Sequence, residues 1–263
     1  MRSRVPAIVL LAGLASVARA VPVPHGHLSL VSTDGWIGLL FELDPGWHIY
    51  WQNPGDSGVQ PEVRWSAPKG VQIGELAWPA PSRLKDHGLV DFGYEGAVLL
   101  MAPVTVPAKG STPLNVSADV HWAVCSETCV TAKANVATAL PVEDKKQMDK
   151  NAELFAKTRR SLPQPLPSRC AVQAIDSNAS FDLRFACFGS DRTLTFFPLH
   201  ANQIEDAAPQ RMEHRAGVTH LLLVKSDQLL TAPAALDGVL ETGEGSAAYQ
   251  ISAPVKRIGA NAN

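Results

Sequence analysis

The sequence predicts an all-β protein, an antiparallel β-sandwich followed by a second, smaller β domain. Twenty Pro and 19 Gly are spread along the 263 residues, and this frequency of turn formers favours many short strands over long helices. A composition of 46% hydrophobic and 18% charged residues is typical of a globular protein. The formal net charge of -2 provides no basic surface for a polyphosphate backbone, so nucleic acid is not an expected partner.

The chain begins with a segment that is typical of export. Arg2 and Arg4 precede an apolar run over residues 5–17, which ends in the small-residue triplet Ala18-Arg19-Ala20. These features predict a signal peptide over residues 1–20 with cleavage after Ala20. No later stretch reaches the roughly 18 to 20 continuous apolar residues that a membrane-spanning helix needs. We therefore expect a mature protein outside the cytoplasm with no membrane span.

The rest of the chain divides into two predicted domains. Residues 21–142 contain strand-like runs bounded by turn signals, at 36–41, 48–51, 71–73 and 97–106. Residues 143–168 form a predicted connection, because residues 143–160 are charged and helix-permissive and three prolines follow at 163, 165 and 167. Residues 169–263 form the second β domain, with strand-like runs at 171–175, 181–188, 193–199, 218–224 and 247–251.

Four cysteines lie in a compartment where disulfides persist, and they allow three pairings: Cys125, Cys129, Cys170 and Cys187. In the chain-entropy model, closing the ring between Cys170 and Cys187 gains about 3 kcal/mol, and the small ring between Cys125 and Cys129 about 2 kcal/mol. Cys170 and Cys187 are therefore expected to form a structural disulfide. The small ring is a weak staple, so a chemical role is the better explanation for it.

Strict alternation of apolar and polar residues runs through the first cysteine pair, from residue 114 to residue 140. If residues 126–128 form a three-residue hairpin loop, Cys125 lies opposite Cys129 and Trp122 lies opposite Ala132. Opposed Cα atoms in such a ladder are about 4.5 to 5.5 Å apart, within reach of a disulfide. We therefore predict a bridge at the exposed tip of a β-hairpin, where an incoming thiolate can reach it.

Two charged or titratable residues near this tip are candidates for tuning the thiols. His121 lies on the same predicted face, four residues before Cys125, and lowers a thiol pKa when it is protonated. Glu127 lies in the loop and acts in the opposite direction, so the sign of the net shift stays open.

Three motifs in order resemble a known family. Residues 47–58 read Trp-His-Ile-Tyr-Trp-Gln-Asn-Pro-Gly-Asp-Ser-Gly, residues 92–96 read Phe-Gly-Tyr-Glu-Gly, and residues 122–129 read Trp-Ala-Val-Cys-Ser-Glu-Thr-Cys. They are similar to the amino-terminal periplasmic domain of the thiol:disulfide interchange protein DsbD, and more similar still to its relative ScsB, the suppressor-of-copper-sensitivity protein. The resemblance covers about residues 28–142.

The resemblance implies an immunoglobulin-like sandwich and a periplasmic thiol-disulfide oxidoreductase that has no cofactor besides its redox-active disulfide. Its pair, Cys125 and Cys129, would take electrons from a membrane-embedded thiol reductase and pass them to periplasmic thioredoxin-like proteins. Family members usually continue into a transmembrane electron-transfer domain, and this sequence does not, so the reductase is expected to be a separate protein. The resemblance favours Cys129 as the attacking thiol. It also implies a cap loop over the cysteines at residues 90–95, with Asp91 in it and Phe92 and Tyr94 as candidate lids.

Two other classes of function stay open at this point. Reduced Cys125 and Cys129 together with His121 could bind Cu(I) or Zn in a periplasmic protein of copper tolerance. A purely structural β-sandwich module is the other alternative, because sandwiches support many unrelated roles.

Overall fold

The computed structural model describes residues 20–86, 88–107, 114–140, 144–243 and 247–257. The predicted signal peptide lies outside these residues except for Ala20, and so does the predicted domain boundary between residues 142 and 143. The regular structure of the described residues consists of nineteen strands and one α-helix, which confirms the predicted all-β class with an immunoglobulin-like sandwich and a second β domain. Within this described part, no helix is long and apolar enough to span a membrane.

The elements of the first half of the chain are β1 (Val21–Val23), β2 (Gly26–Thr33), β3 (Trp36–Leu43), β4 (His48–Gly55), β5 (Glu62–Ser66), β6 (Gln72–Ile73), β7 (Ser82–Asp86), β8 (Leu89–Glu95), β9 (Ala97–Thr105), β10 (Leu114–Cys125) and β11 (Cys129–Leu140). The elements that follow are α1 (Lys145–Ser161), β12 (Gln164–Pro165), β13 (Val172–Asp176), β14 (Ser180–Phe185), β15 (Leu194–Pro198), β16 (Arg211–Arg215), β17 (Val218–Val224), β18 (Ala235–Thr242) and β19 (Ala247–Arg257).

Two sheets form the sandwich. The first has the strand order β1-β2-β3-β9-β6, and the second has the order β11-β10-β4-β8-β7, with β5 pairing to β10. Their pairings are antiparallel, and alternating apolar side chains from both sheets fill the space between them. Phe41 of the first sheet meets Trp122 of the second edge to face, with ring centroids 5.5 Å apart. In the second sheet β11, which begins with Cys129, is an edge strand, and β10, which ends with Cys125, is an inner strand.

Helix α1 is attached to the sandwich. Its first turn is capped by Asp144, whose carboxylate accepts a hydrogen bond from the Lys146 amide at 2.9 Å. Phe155 is fully buried in a cluster with residues of β2 and β9, and the Asn151 side chain donates to the Ser32 carbonyl at 2.7 Å. The helix ends at Ser161, two residues before Pro163, which disfavours helical backbone at the residue before it. The predicted helical part of the connection thus packs on the first sheet.

The second β domain is built on one sheet of the order β15-β18-β19-β13-β14-β17-β16, with β12 added beside β19. Its own apolar cluster contains Cys170, which is bonded to Cys187 with a Cα separation of 5.0 Å. This domain also contributes to the sandwich core, because Phe197 and Val239 belong to the apolar cluster of the first two sheets. The buried Asn53 side chain donates to the Pro198 carbonyl at 2.8 Å across the same junction. The two domains therefore share buried surface.

Candidate redox site

The first cysteine pair lies at the tip of the β10–β11 hairpin. The register places Cys125 opposite Cys129 and Trp122 opposite Ala132, as the alternation predicts. The Ser126 amide donates to the Thr128 carbonyl at 3.0 Å and closes the three-residue loop. The two cysteines form a disulfide with a Cα separation of 4.2 Å. Period-two alternation and the short loop together determine this register.

The two cysteines differ in their access to solvent. Cys125 is 1% exposed, because its strand is flanked by β11 on one side and by β4 on the other, where His48 lies opposite Cys125. Cys129 is exposed, because it begins the edge strand. An external thiol or disulfide therefore meets Cys129 first, and Cys125 is held back as the inner partner.

The side chain that covers the inner cysteine is Tyr50 on β4. Ile49 is opposite Val124, so Tyr50 lies on the other face of the sheet beside Ala123 and Cys125, and these three residues form a buried cluster. Tyr50 is 1% exposed, and its hydroxyl is 3.7 Å from the Cys129 sulfur, within hydrogen-bond reach of a sulfur atom. The ring of His48 contacts Tyr50 edge to face at 5.2 Å between centroids.

Gly58 packs directly against the ring of Tyr50. A Cβ atom at position 58 would lie 2.1 Å from Tyr50 Cζ, and the backbone φ of Gly58 is +77°, so both space and backbone favour glycine. We refer to Tyr50 and residues 56–58 together as the cover.

Two carboxylates hold the cover on β8. The Ser57 amide donates to Asp91 Oδ1 and the Ser57 hydroxyl donates to Asp91 Oδ2, both at 2.9 Å. The Val90 amide donates to Asp56 Oδ2 at 2.7 Å, and the Asp56 amide donates to the Val90 carbonyl at 3.1 Å. Asp91 is 6% exposed, and both of its oxygens are used. Asp91, a residue of the expected cap loop, thus contacts the site indirectly, through Ser57.

The structure does not place Phe92 and Tyr94 over the cysteines, which corrects the expectation that they are lids. Tyr94 is opposite Ile49, so it points to the inward face, away from Tyr50. Its hydroxyl donates to the Pro79 carbonyl at 2.7 Å, and burial raises the pKa of Tyr94 well above its usual value. Phe92 is fully buried, with its ring centroid 5.3 Å from that of Phe197. Both rings are core residues.

The structure does not bring His121 to the disulfide. His121 is exposed and lies opposite Lys133 on β11 and Glu62 on β5. It lies four positions before Cys125 on the same strand, a distance of about 13 Å at the rise of an antiparallel strand. The described residues contain no group of three or more His, Cys, Asp or Glu side chains that could hold a metal ion. Glu127 is exposed at the loop.

Sequence reasoning missed Tyr50, His48 and Gly58. A weak signal was present, because His48 and Tyr50 alternate with the apolar Ile49 and Trp51 and therefore share the outward face of a strand. What the sequence does not reveal is that this strand lies next to β10.

Comparison with known proteins decides the family of this site. The family model described as "Thiol:disulfide interchange protein DsbD, N-terminal" matches residues 19–141, which include both strands of the cysteine hairpin. Residues 19–141 belong to the DsbD amino-terminal domain family. The role of this DsbD domain, in general terms, is thiol:disulfide interchange. No curated protein matched the chain.

A solved structure extends the likeness beyond the DsbD domain. The chain is similar to the crystal structure of the N-terminal periplasmic domain of ScsB from Proteus mirabilis, with a TM-score of 0.65 and 17% sequence identity. The match covers 90% of this chain and 96% of that chain, so it includes the second β domain. At this identity the likeness shows the fold.

Proposed function

We propose that this protein is a periplasmic thiol:disulfide interchange protein that passes electrons through Cys125 and Cys129. In this proposal a separate membrane-embedded reductase supplies the electrons, and thioredoxin-like proteins receive them. The observation that carries the proposal is the asymmetry of the hairpin tip, where one bonded cysteine is exposed and its partner is 1% exposed. Exposed, exchange-competent bridges are those that a partner thiolate can attack.

The reaction has two exchange steps. In the reduced protein the Cys129 thiolate attacks one sulfur of a partner disulfide, a mixed disulfide forms, and the other partner sulfur leaves as a thiolate that takes up a proton. The Cys125 thiol then loses its proton and attacks the Cys129 sulfur. The mixed disulfide breaks, the bridge between Cys125 and Cys129 forms, and the partner leaves as a dithiol. Two electrons and two protons have then moved to the partner.

Tyr50 supports the first step in this proposal. Its hydroxyl lies 3.7 Å from the Cys129 sulfur in the oxidised protein, and a hydroxyl donates a stronger hydrogen bond to a thiolate than to a neutral sulfur. Donation to the thiolate lowers the pKa of the Cys129 thiol and raises the fraction that can attack. Cys125 is 1% exposed and buried beside Tyr50, so in this proposal it reacts second, after the mixed disulfide has formed.

The proposal extends to location, domains and the second bridge. A periplasmic location is supported by the predicted signal peptide and by the ScsB structure, which is that of a periplasmic domain. The proposed division is residues 21–142 for the redox domain, 143–168 for the connection and 169–263 for the second domain. The disulfide between Cys170 and Cys187 packs in the core of that second domain and is proposed to be structural.

A trapping experiment in periplasmic extracts tests the proposal. The Cys125→Ser variant keeps the attacking thiol and lacks the resolving one, so it should accumulate mixed disulfides through Cys129 with thioredoxin-like proteins. These are measured by non-reducing gel electrophoresis and mass spectrometry of the linked peptides. The Cys129→Ser variant should trap far less.

The matched control is a variant with both Cys170→Ser and Cys187→Ser, which should form no mixed disulfide beyond the wild-type level. If neither single variant at the hairpin traps a partner, or if the trapped bond is made by Cys170 or Cys187, the proposed function is wrong.

A further inference from the structure

A second-domain residue, Asp206, lies against β7, the strand that pairs with β8, which holds the cover. Asp206 is in the loop between β15 and β16, and its backbone carbonyl accepts a hydrogen bond from the side chain of Arg83 on β7. It is 5% exposed, and within the described part of the chain its Oδ1 atom is buried with no hydrogen-bond partner. Such a carboxyl group is more stable neutral than ionised.

Four charged groups act on Asp206. They are Asp56 after β4, Arg83 on β7, Asp91 on β8 and Glu205 in the same loop as Asp206. Burial, then the negative charge of Asp56, raise the pKa of Asp206 to about 7, while Arg83 acts in the opposite direction. One cation thus faces several carboxylates, and Asp206 changes its charge near neutral pH.

Two of these carboxylates are the groups that hold the cover. Asp91 accepts both hydrogen bonds from Ser57, and Asp56 accepts one from Val90. The next residue, Gly58, packs on the ring of Tyr50, which lies beside Cys125. A charge on Asp206 therefore acts on both attachment points of the segment that packs on Tyr50, the ring beside the inner cysteine.

We propose that Asp206 is a positioning residue for the redox site, through which the second domain sets how firmly the cover holds over Cys125. This inference rests on the proposed function, because it treats the disulfide as one that exchanges. With Asp206 neutral, Asp56 and Asp91 keep the cover closed. Ionised Asp206 places a further negative charge beside these two anions, and movement of the cover, which carries Asp56 away, relieves the repulsion.

Opening the cover changes the rate of disulfide exchange. When an external thiolate attacks the sulfur of Cys129, the bond between the two sulfurs breaks and Cys125 leaves as a thiolate. Under the closed cover this thiolate forms without water around it, which raises its pKa and makes it a poor leaving group. An open cover hydrates the leaving sulfur, so reduction of the disulfide becomes faster.

The test measures reduction of the Cys125–Cys129 bridge in the full chain by dithiothreitol, from pH 6 to 8.5, with the thiolate concentration held constant. The wild-type rate should rise at least about twofold through pH 7, the effect expected for coupled charged groups. Asp206→Asn, which is neutral at every pH, should keep the slow rate throughout. Asp227→Asn, an exposed carboxylate of the same domain, should follow the wild-type profile.

Hydrogen exchange of the Ser57 amide in the wild-type protein gives a second readout that needs no variant. After correction for the intrinsic rate, its protection should fall as the pH rises through 7. The inference is overturned if Asp206→Asn shows the wild-type pH profile, or if the protection of Ser57 does not change with pH. These measurements involve no protein partner, so they fail or succeed separately from the trapping of partners by Cys125→Ser.

Discussion

Replacement of Gly58 by Ala tests whether the contact with Tyr50 controls the disulfide. An alanine Cβ would lie 2.1 Å from Tyr50 Cζ and 2.3 Å from Cε1, whereas carbon atoms in ordinary contact are about 3.5 to 4.0 Å apart. The ring or the segment must therefore retreat by about 1.5 Å. Movement of the ring shifts its hydroxyl from a position 3.7 Å from the Cys129 sulfur, and movement of the segment uncovers the ring that packs beside Cys125.

The expected cost in stability has two parts. The left-handed backbone at Gly58 costs an alanine about 1 to 2 kcal/mol, and forcing extra volume into a packed contact costs about 1 to 3 kcal/mol more. Gly35→Ala is the matched control, because Gly35 has a φ of +72° and nothing within 4 Å of an added Cβ. It should show the backbone cost alone.

The assay combines thermal unfolding with the rate of reduction by dithiothreitol. Gly58→Ala should lower the free energy of unfolding by about 2 to 5 kcal/mol in total, and the bridge should be reduced several times faster than in the wild type. Gly35→Ala should leave the reduction rate unchanged. Equal stability losses in the two variants, together with an unchanged reduction rate, would refute the role given to Gly58 and Tyr50.

Three further predictions concern Tyr50, Phe197 and Asp206. Tyr50→Phe should slow alkylation of Cys129 at neutral pH in the Cys125→Ser background, because the thiolate loses a hydrogen-bond donor. Tyr249→Phe, on β19 of the second domain, is the control. An unchanged alkylation rate in Tyr50→Phe contradicts the role given to this hydrogen bond. Phe197→Ala removes a ring packed on Phe92 and Trp51 and should lower the free energy of unfolding by about 3 to 5 kcal/mol. Calorimetry should show that the sandwich loses stability together with the second domain. A sandwich that melts as in the wild type argues against a shared core. The raised pKa of Asp206, about 7 against 3.8, contributes stability that is fully present below about pH 4 and is lost as the pH rises through 7. Urea unfolding at pH 5 and pH 8 should show this loss in the wild type and a smaller loss in Asp206→Asn. Equal losses in the two proteins contradict this prediction.

The cysteine hairpin could be predicted from the sequence because its register depends on residues that are close together in the chain. Alternation over 27 consecutive residues assigns each side chain to a face, and a three-residue loop leaves one register that matches the apolar faces. The all-β class follows in the same way from short runs and turn residues. These features depend on neighbours in the chain, so the structure and the sequence agree on them.

The position of the cover could not be predicted because it depends on contacts between residues that are far apart in the chain. Val90 to Tyr94 are buried on both faces of β8, so polarity does not reveal which way Phe92 and Tyr94 point. Tyr50 reaches the disulfide only because β4 pairs with the end of β10, some 75 positions later in the chain. Asp206 shows no local signal at all, since its role comes from the packing of the second domain on β7.

The most direct test of the central claim is equilibration of the native protein with glutathione buffers of defined potential, followed by alkylation and mass spectrometry of each cysteine. We expect the Cys125–Cys129 bridge to open and close reversibly as the ratio of reduced to oxidised glutathione changes, while the Cys170–Cys187 bridge stays oxidised. A hairpin bridge that resists reduction across this range, or a Cys170–Cys187 bridge that opens first, would contradict the account.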